Sequence, residues 1–295
     1  MLVKLNLLVT LWFTGMLKQL HFSNVHIEIN TLGGQACVFE VDNKSIFHPL
    51  KSHLVDASIG GLFPMVPIAN RVEGNRFINE GRLIELPNVD WDKEFFLHGD
   101  GWKKEWQIYY EKQDEIALIL ESHINDDIHY LATLSFKLAK SQLIVTLKAK
   151  NLSSHPFPFN IGLHPFFYSS EKSYLIFSHQ GYWPETEKHL PKPYQVQVPK
   201  QYNFQTIKTL TQGWINHCYK VSSPVAELIH HDMGYKVEIE YNSDYLTIYQ
   251  PECSAPYVCI EPQCFPINAH NFMEIPTISP EDEQQITMTI QVKDV

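Results

Sequence analysis

The sequence predicts an all-β protein, a large antiparallel β-sandwich. Apolar and polar residues alternate with a period of two in short segments from His26 onward, and turn-forming residues separate those segments. No stretch longer than about two turns carries a helical repeat. With 295 residues and 44% hydrophobic content there is material for one large core. All-β units of this length often form one domain, so residues 16–295 are expected to do so.

The segments follow in order. "HIEINTLGG" offers Ile27, Ile29 and Leu32 before a glycine pair, and "ACVFEVDNKSIFH" breaks at a D-N-K turn. "IALILES" sets Ile116, Leu118 and Leu120 on one face. "LSFKLAKSQLIVTLKAKN" reads as a hairpin, with Leu134, Phe136 and Leu138 answered by Leu143, Val145 and Leu147. "KVEIEYNSDYLTIYQ" reads as a second hairpin, around N-S-D, and "QITMTIQV" as the last strand. Gly181 to Phe204, rich in proline and aromatics, reads as a long surface connection of the kind that helps to build a cleft.

A formal net charge of −10 with no Lys/Arg run excludes a nucleic-acid footprint. Neutral or cationic small molecules, or sugars, suit it better. Five cysteines, odd in number and without a CxxC pair, point to free thiols in a reducing cytosol. The fifteen histidines form neither H-x-H nor HExxH, so no metal is expected. Residues 1–15 read as an extension: Lys4 precedes an apolar run like that of a secretion signal, but no small-residue cleavage site follows. Met16 is an alternative start, and the apolar run is too short for a membrane span. A monomer and a homodimer are both compatible with the sequence.

Four stretches depart from the strand-and-turn pattern: "GGLFPMVPIANRVEGNRF" with Asn70 and Arg71, "FFLHGDGWKKEW" with His98 and Trp102, "FNIGLHPFFY" with His164, and "PYVCIEPQ" with Glu261. Each has a plain reading, as a strand-end glutamate facing water, a hydrogen-bonded core histidine or a structural ion-pair arginine. Their common format is more informative: a polar residue closing an apolar strand beside Gly or Pro. If the strand ends converge, they bring an acid, a base and hydrogen-bond donors into one cleft. Such a set suits opening of a hemiacetal ring, in which a base takes the anomeric hydroxyl proton while an acid protonates the ring oxygen. That reaction needs no cofactor.

In order and rough spacing, "FPMVPIANRVEGNRF", "LHGDGWKKEW", "GLHPFF" and "VCIEPQ" resemble the aldose 1-epimerases, or galactose mutarotases. The resemblance spans nearly the whole chain after Met16, and its "PxANRVxGNRF" and "LHGDGWxxEW" forms are closest to a bacterial branch. It implies a supersandwich of twisted antiparallel sheets with a sugar cleft. It also implies Glu261 as general base and His164 as general acid, with Arg71 and His98 binding the sugar. Asn70 and Trp102 are further implied contacts, whereas Arg76 is expected to support its loop. Where galactose-active members carry a sugar-binding aspartate, "GWINHCY" places Asn216, which can hydrogen-bond a hydroxyl but supplies no carboxylate. Two other readings stand beside an active mutarotase: a hexose-phosphate mutarotase using Arg71, Lys103 and Lys104, and a non-catalytic carbohydrate-binding protein. A glycosidase would need a second carboxylate that the motifs do not offer.

Overall fold

The computed structural model describes residues 15–50, 60–210, 213–251 and 255–295. All but Gly15 of the expected extension, and Cys253, lie outside those residues. The first strands are β1 (Leu17–Phe22), β2 (Val25–Asn30), β3 (Gln35–Val41), β4 (Lys44–Ser45), β5 (Leu62–Met65), β6 (Arg76–Asn79) and β7 (Arg82–Glu85). The middle of the chain forms β8 (Gln107–Glu111), β9 (Glu115–Asn125), β10 (Ile128–Ala139), β11 (Gln142–Asn151), β12 (Gly162–Tyr168), β13 (Ser173–Trp183) and β14 (Lys208–Thr209). Last come β15 (Ile215–His230), β16 (Tyr235–Tyr241), β17 (Tyr245–Gln250), β18 (Tyr257–Gln263) and β19 (Glu283–Asp294). Among the described residues the helical pieces are 3₁₀ turns of three residues, and no helix is long and apolar enough to cross a membrane.

Apart from β6 and β7, which pair with each other in a separate hairpin, the strands form one sheet whose two main rows share β15. One row runs β1–β2–β3–β5–β12–β18–β17–β15. The other runs β8–β9–β10–β11–β19–β16–β15. Every pairing between these described strands is antiparallel, and β13 flanks β15 from His230 back to Cys218. Alternate side chains of both rows, among them Ile27, Phe39, Leu134, Val145, Ile248 and Ile286, meet in one core. This is the expected all-β sandwich, built from a sheet that curls over itself.

The hairpin predicted over 134–147 has the expected register, with Leu138 opposite Leu143 and Phe136 opposite Val145. The D-N-K turn also forms, with Asp42 and Asn43 both left-handed (φ 51° and 59°), the conformation of a tight hairpin. N-S-D, however, does not reverse the chain. β16 and β17 lie end to end along β15, pairing with Val225–His230 and Ile215–Lys220 respectively. Residues 242–244 step between the rows instead. Asn242 accepts from Thr287 N–H (2.7 Å) on β19, and the Ser243 hydroxyl donates to the Gln263 carbonyl of β18. Polar residues that favour a turn serve equally well to satisfy the backbone at such a step.

Candidate active site

The floor of the site is the outer face of β5, β12, β18, β17 and β15. Period-two alternation sorts each strand. In β12, Leu163 and Phe167 enter the main core; His164 and Phe166 face outward with Phe63, Met65, Trp102 and Cys259. In β18, Val258 and Ile260 face the core, which leaves Cys259 and Glu261 on the outer face. Glu261 is thus neither at a strand end nor in water: it is mid-strand and 1% exposed. His164 is likewise mid-strand, and Phe95 to Leu97, read as strand-like, form no strand.

The register of β12 with β18, Gly162 opposite Gln263 and Phe166 opposite Cys259, sets His164 across from Glu261. Pro165 interrupts the ladder there because it has no N–H to donate. The two side chains meet instead, with His164 Nε2 3.2 Å from Glu261 Oε1. The His164 ring lies between Phe63 (4.4 Å) and Phe166 (4.8 Å), and Trp102 stacks on the far side of Phe63 (5.0 Å). Among the described residues Glu261 Oε2 has no hydrogen-bond partner.

Burial sets the protonation of the pair, because removing a charge from water disfavours the ionised form. It pushes Glu261 up to about 8, opposed by the Arg71 charge, and His164 down to about 3. Near neutrality the pair therefore retains one titratable proton, held by Glu261 in the free protein.

Two loops build the wall above this floor. Gly99 packs on Val66 in a left-handed conformation (φ 70°), and a Cβ there would stand 2.1 Å from the Val66 carbonyl oxygen. That approach sets His98 against Asn70. The His98 N–H donates to the Asn70 carbonyl (3.0 Å), and the Asn70 N–H donates to His98 Nδ1 (3.2 Å). With Nδ1 accepting and burial holding the ring well below its usual pKa, His98 is a neutral imidazole with its proton on Nε2. Asp100, buried between Ser122 and Tyr130 hydroxyls (both 2.6 Å), anchors the turn. Arg71 Nη1 donates to Asn70 Oδ1 (3.0 Å), and burial lowers the pKa of its guanidinium.

All seven residues singled out by sequence line one cavity of about 170 Å³: Glu261, His164, Arg71, His98, Asn70, Asn216 and Trp102. Trp102 is largely committed to support, since its indole N–H donates to the Leu97 and Gly99 carbonyls. Arg76 lies outside the lining, as do Lys103, over the Trp102 ring (3.8 Å), and Lys104, 3.9 Å from Asp100. His164, Cys259 and Glu261 each bring a ligand-type atom within 4.8 Å of the others. They fit a metal poorly: burial and Glu261 hold the Cys259 thiol well above its usual pKa, while metal binding requires the thiolate.

Over residues 17–292 the chain matches the family model described as aldose 1-epimerase. The chain belongs to the aldose 1-epimerase family. It is 29% identical over 286 residues to YphB, an uncharacterized protein of Escherichia coli K12, covering 93% of this chain and 98% of that one. An E. coli K12 crystal structure described as a candidate aldose 1-epimerase superposes with a TM-score of 0.89 at 27% identity, over 95% and 99% of the two chains. The galactose 1-epimerase of Lactobacillus acidophilus shares the fold (TM-score 0.79, 17% identity, 94% and 95% coverage).

In this aldose 1-epimerase family member the cavity has further walls that sequence reasoning did not name. Phe63, Leu97, Phe166, His189, Trp214 and Tyr249 also line it. His189 comes from the proline-rich connection expected to help form a cleft, which contributes Glu185 behind it. A glutamate and a histidine bracketed by prolines, "PETEKHLP", were the available signal.

Proposed function

We propose that the protein interconverts the α and β anomers of a free aldose by opening and reclosing the hemiacetal ring. The observation that carries this reading is the buried Glu261–His164 pair, with an unpartnered carboxylate oxygen at the cavity floor. In the opening step Glu261 takes the proton of the anomeric hydroxyl and His164 gives one to the ring oxygen. The pair goes from carboxylate and imidazolium to carboxylic acid and neutral imidazole, and its proton count is unchanged. That second arrangement is the one burial favours, so the floor stabilises the ring-opened side. Rotation about the C1–C2 bond and the reverse transfers then give the other anomer. No group outside the pair has to supply or remove a proton.

Arg71, close enough to lower the pKa of Glu261, supports the carboxylate form, and the His98 Nε2–H is a neutral donor for a sugar oxygen. Asn70, Asn216 and Trp102 complete the proposed binding set. A free sugar is favoured over a sugar phosphate because, among the described residues, Arg71 is the one Lys or Arg in the lining. Anomer-exchange NMR over a panel of free and phosphorylated aldoses tests the reading. Acceleration of at least one free aldose is expected. Binding without acceleration of any would favour a carbohydrate-binding protein.

A further inference from the structure

Resting on that reading, we infer that Glu185 and His189 form, with Asn216, a built recognition wall for two aldose hydroxyls remote from the anomeric carbon. His189 and Asn216 are the residues that touch the sugar; Glu185 is the positioning residue behind them.

Residues 184–192 form a closed miniature hairpin. Lys192 N–H donates to the Pro184 carbonyl (2.6 Å), Thr186 N–H to the Leu190 carbonyl (2.7 Å), and Glu185 bridges to Pro191. His189 is held at its tip in a left-handed conformation (φ 60°), an uncommon one for a histidine, which directs the ring to the cavity. Such local strain persists where surrounding contacts over-determine it.

The Glu185 carboxylate, 15% exposed, gathers three side chains at once. Trp214 Nε1 and Asn216 Nδ2 (2.9 Å) donate to it, and His189 Nδ1 lies 2.7 Å from Oε2. Each contact fixes what the partner shows the cavity. Asn216, its amide N–H₂ engaged by Glu185, turns its carbonyl oxygen to a ligand as an acceptor. His189, with its Nδ1 proton on the carboxylate, presents Nε2. Trp214, 42% exposed and edge-on to Tyr249 (5.3 Å), offers an apolar face beside them. A loop carboxylate thus orients a strand asparagine that supplies no charge of its own. Two acceptors on one wall suit two neighbouring hydroxyls, each donating its single proton, and an analogue lacking either is rejected because its acceptor is left unpaired.

The test is anomer-exchange kinetics on d-glucose, d-galactose and their 2-, 3-, 4- and 6-monodeoxy analogues, with wild type, Glu185→Ala, Glu185→Gln and His189→Ala. For the hexose turned over best, loss of one hydroxyl should cost wild type at least tenfold in kcat/KM. In Glu185→Ala and His189→Ala that cost should shrink below threefold, with the parent hexose falling to the level of its deoxy analogue through KM more than kcat. Glu185→Gln, which keeps an acceptor for Trp214, should retain the fold and an intermediate sensitivity. Equal losses on parent and deoxy sugars in every variant would reduce Glu185 to a loop latch and overturn the inference. Absence of acceleration by wild type on both hexoses and all analogues would count against the proposed function instead, so the two failures are distinct.

Discussion

A carboxylate with one oxygen on a histidine and the other unpartnered is expensive to bury, and Glu261 shows that expense as a pKa of about 8. Its folded value lies above the ordinary 4.5, so its contribution is fully present below pH about 4.5 and is lost as pH rises toward 8. Glu261→Gln removes that loss. Denaturant titrations should find the variant equal to wild type near pH 4.5 and more stable by roughly 2–4 kcal/mol at pH 8.5. Equal stability at both pH values would show that burial is not what shifts the carboxyl. On the proposed mechanism the pair also sets the pH dependence of catalysis. One proton is retained between about pH 3 and 8, so kcat/KM should be level across neutrality and fall above about 8. A rate rising through pH 8 would mean that ionised Glu261 suffices without a proton on His164. Legibility in the sequence was uneven here. Glu261, His164, Arg71 and His98 stood out because polar residues interrupt apolar runs beside Gly or Pro. Glu185 and His189 did not, since they sit in a polar loop whose place over the cleft depends on the fold.

At the scale of elements, prolines occupy three neighbouring strands under the site, Pro64 in β5, Pro165 in β12 and Pro262 in β18. A proline in an inner strand ordinarily argues against the strand, yet here the missing N–H at Pro165 opens the ladder beside the pair that faces the cavity. The "HGDG" turn is the second such device. Gly99→Ala would drive a Cβ into the Val66 carbonyl at a left-handed φ. We expect a loss of about 2–4 kcal/mol in a denaturant titration, together with weakened sugar binding as His98 shifts from Asn70. An unchanged midpoint would remove the turn from the account. Strand alternation was readable to the residue in β10 and β11, where Leu134, Phe136 and Leu138 face Leu147, Val145 and Leu143. It misled at N-S-D, because a step between layers and a hairpin turn ask for the same polar residues.

For the whole molecule, the decisive feature is that one long strand, β15, belongs to both rows of the sandwich. The step at 242–244 follows it from one layer to the other, tied to β19 and β18. Four residues inserted there should cost several kcal/mol, whereas the same insertion between Asp126 and Asp127 of the β9–β10 turn should cost about 1 kcal/mol or less. Thermal unfolding of the two variants checks this; equal shifts would contradict the shared-strand architecture. The sandwich class was legible from periodicity, while the sharing of β15 rests on long-range pairing that no local window contains. The central claim, that the buried Glu261–His164 pair moves the protons, is tested most directly by anomer-exchange NMR on the best aldose with Glu261→Gln beside wild type. A fall in kcat of at least a hundredfold with the fold retained is predicted, and exchange at the wild-type rate would contradict it.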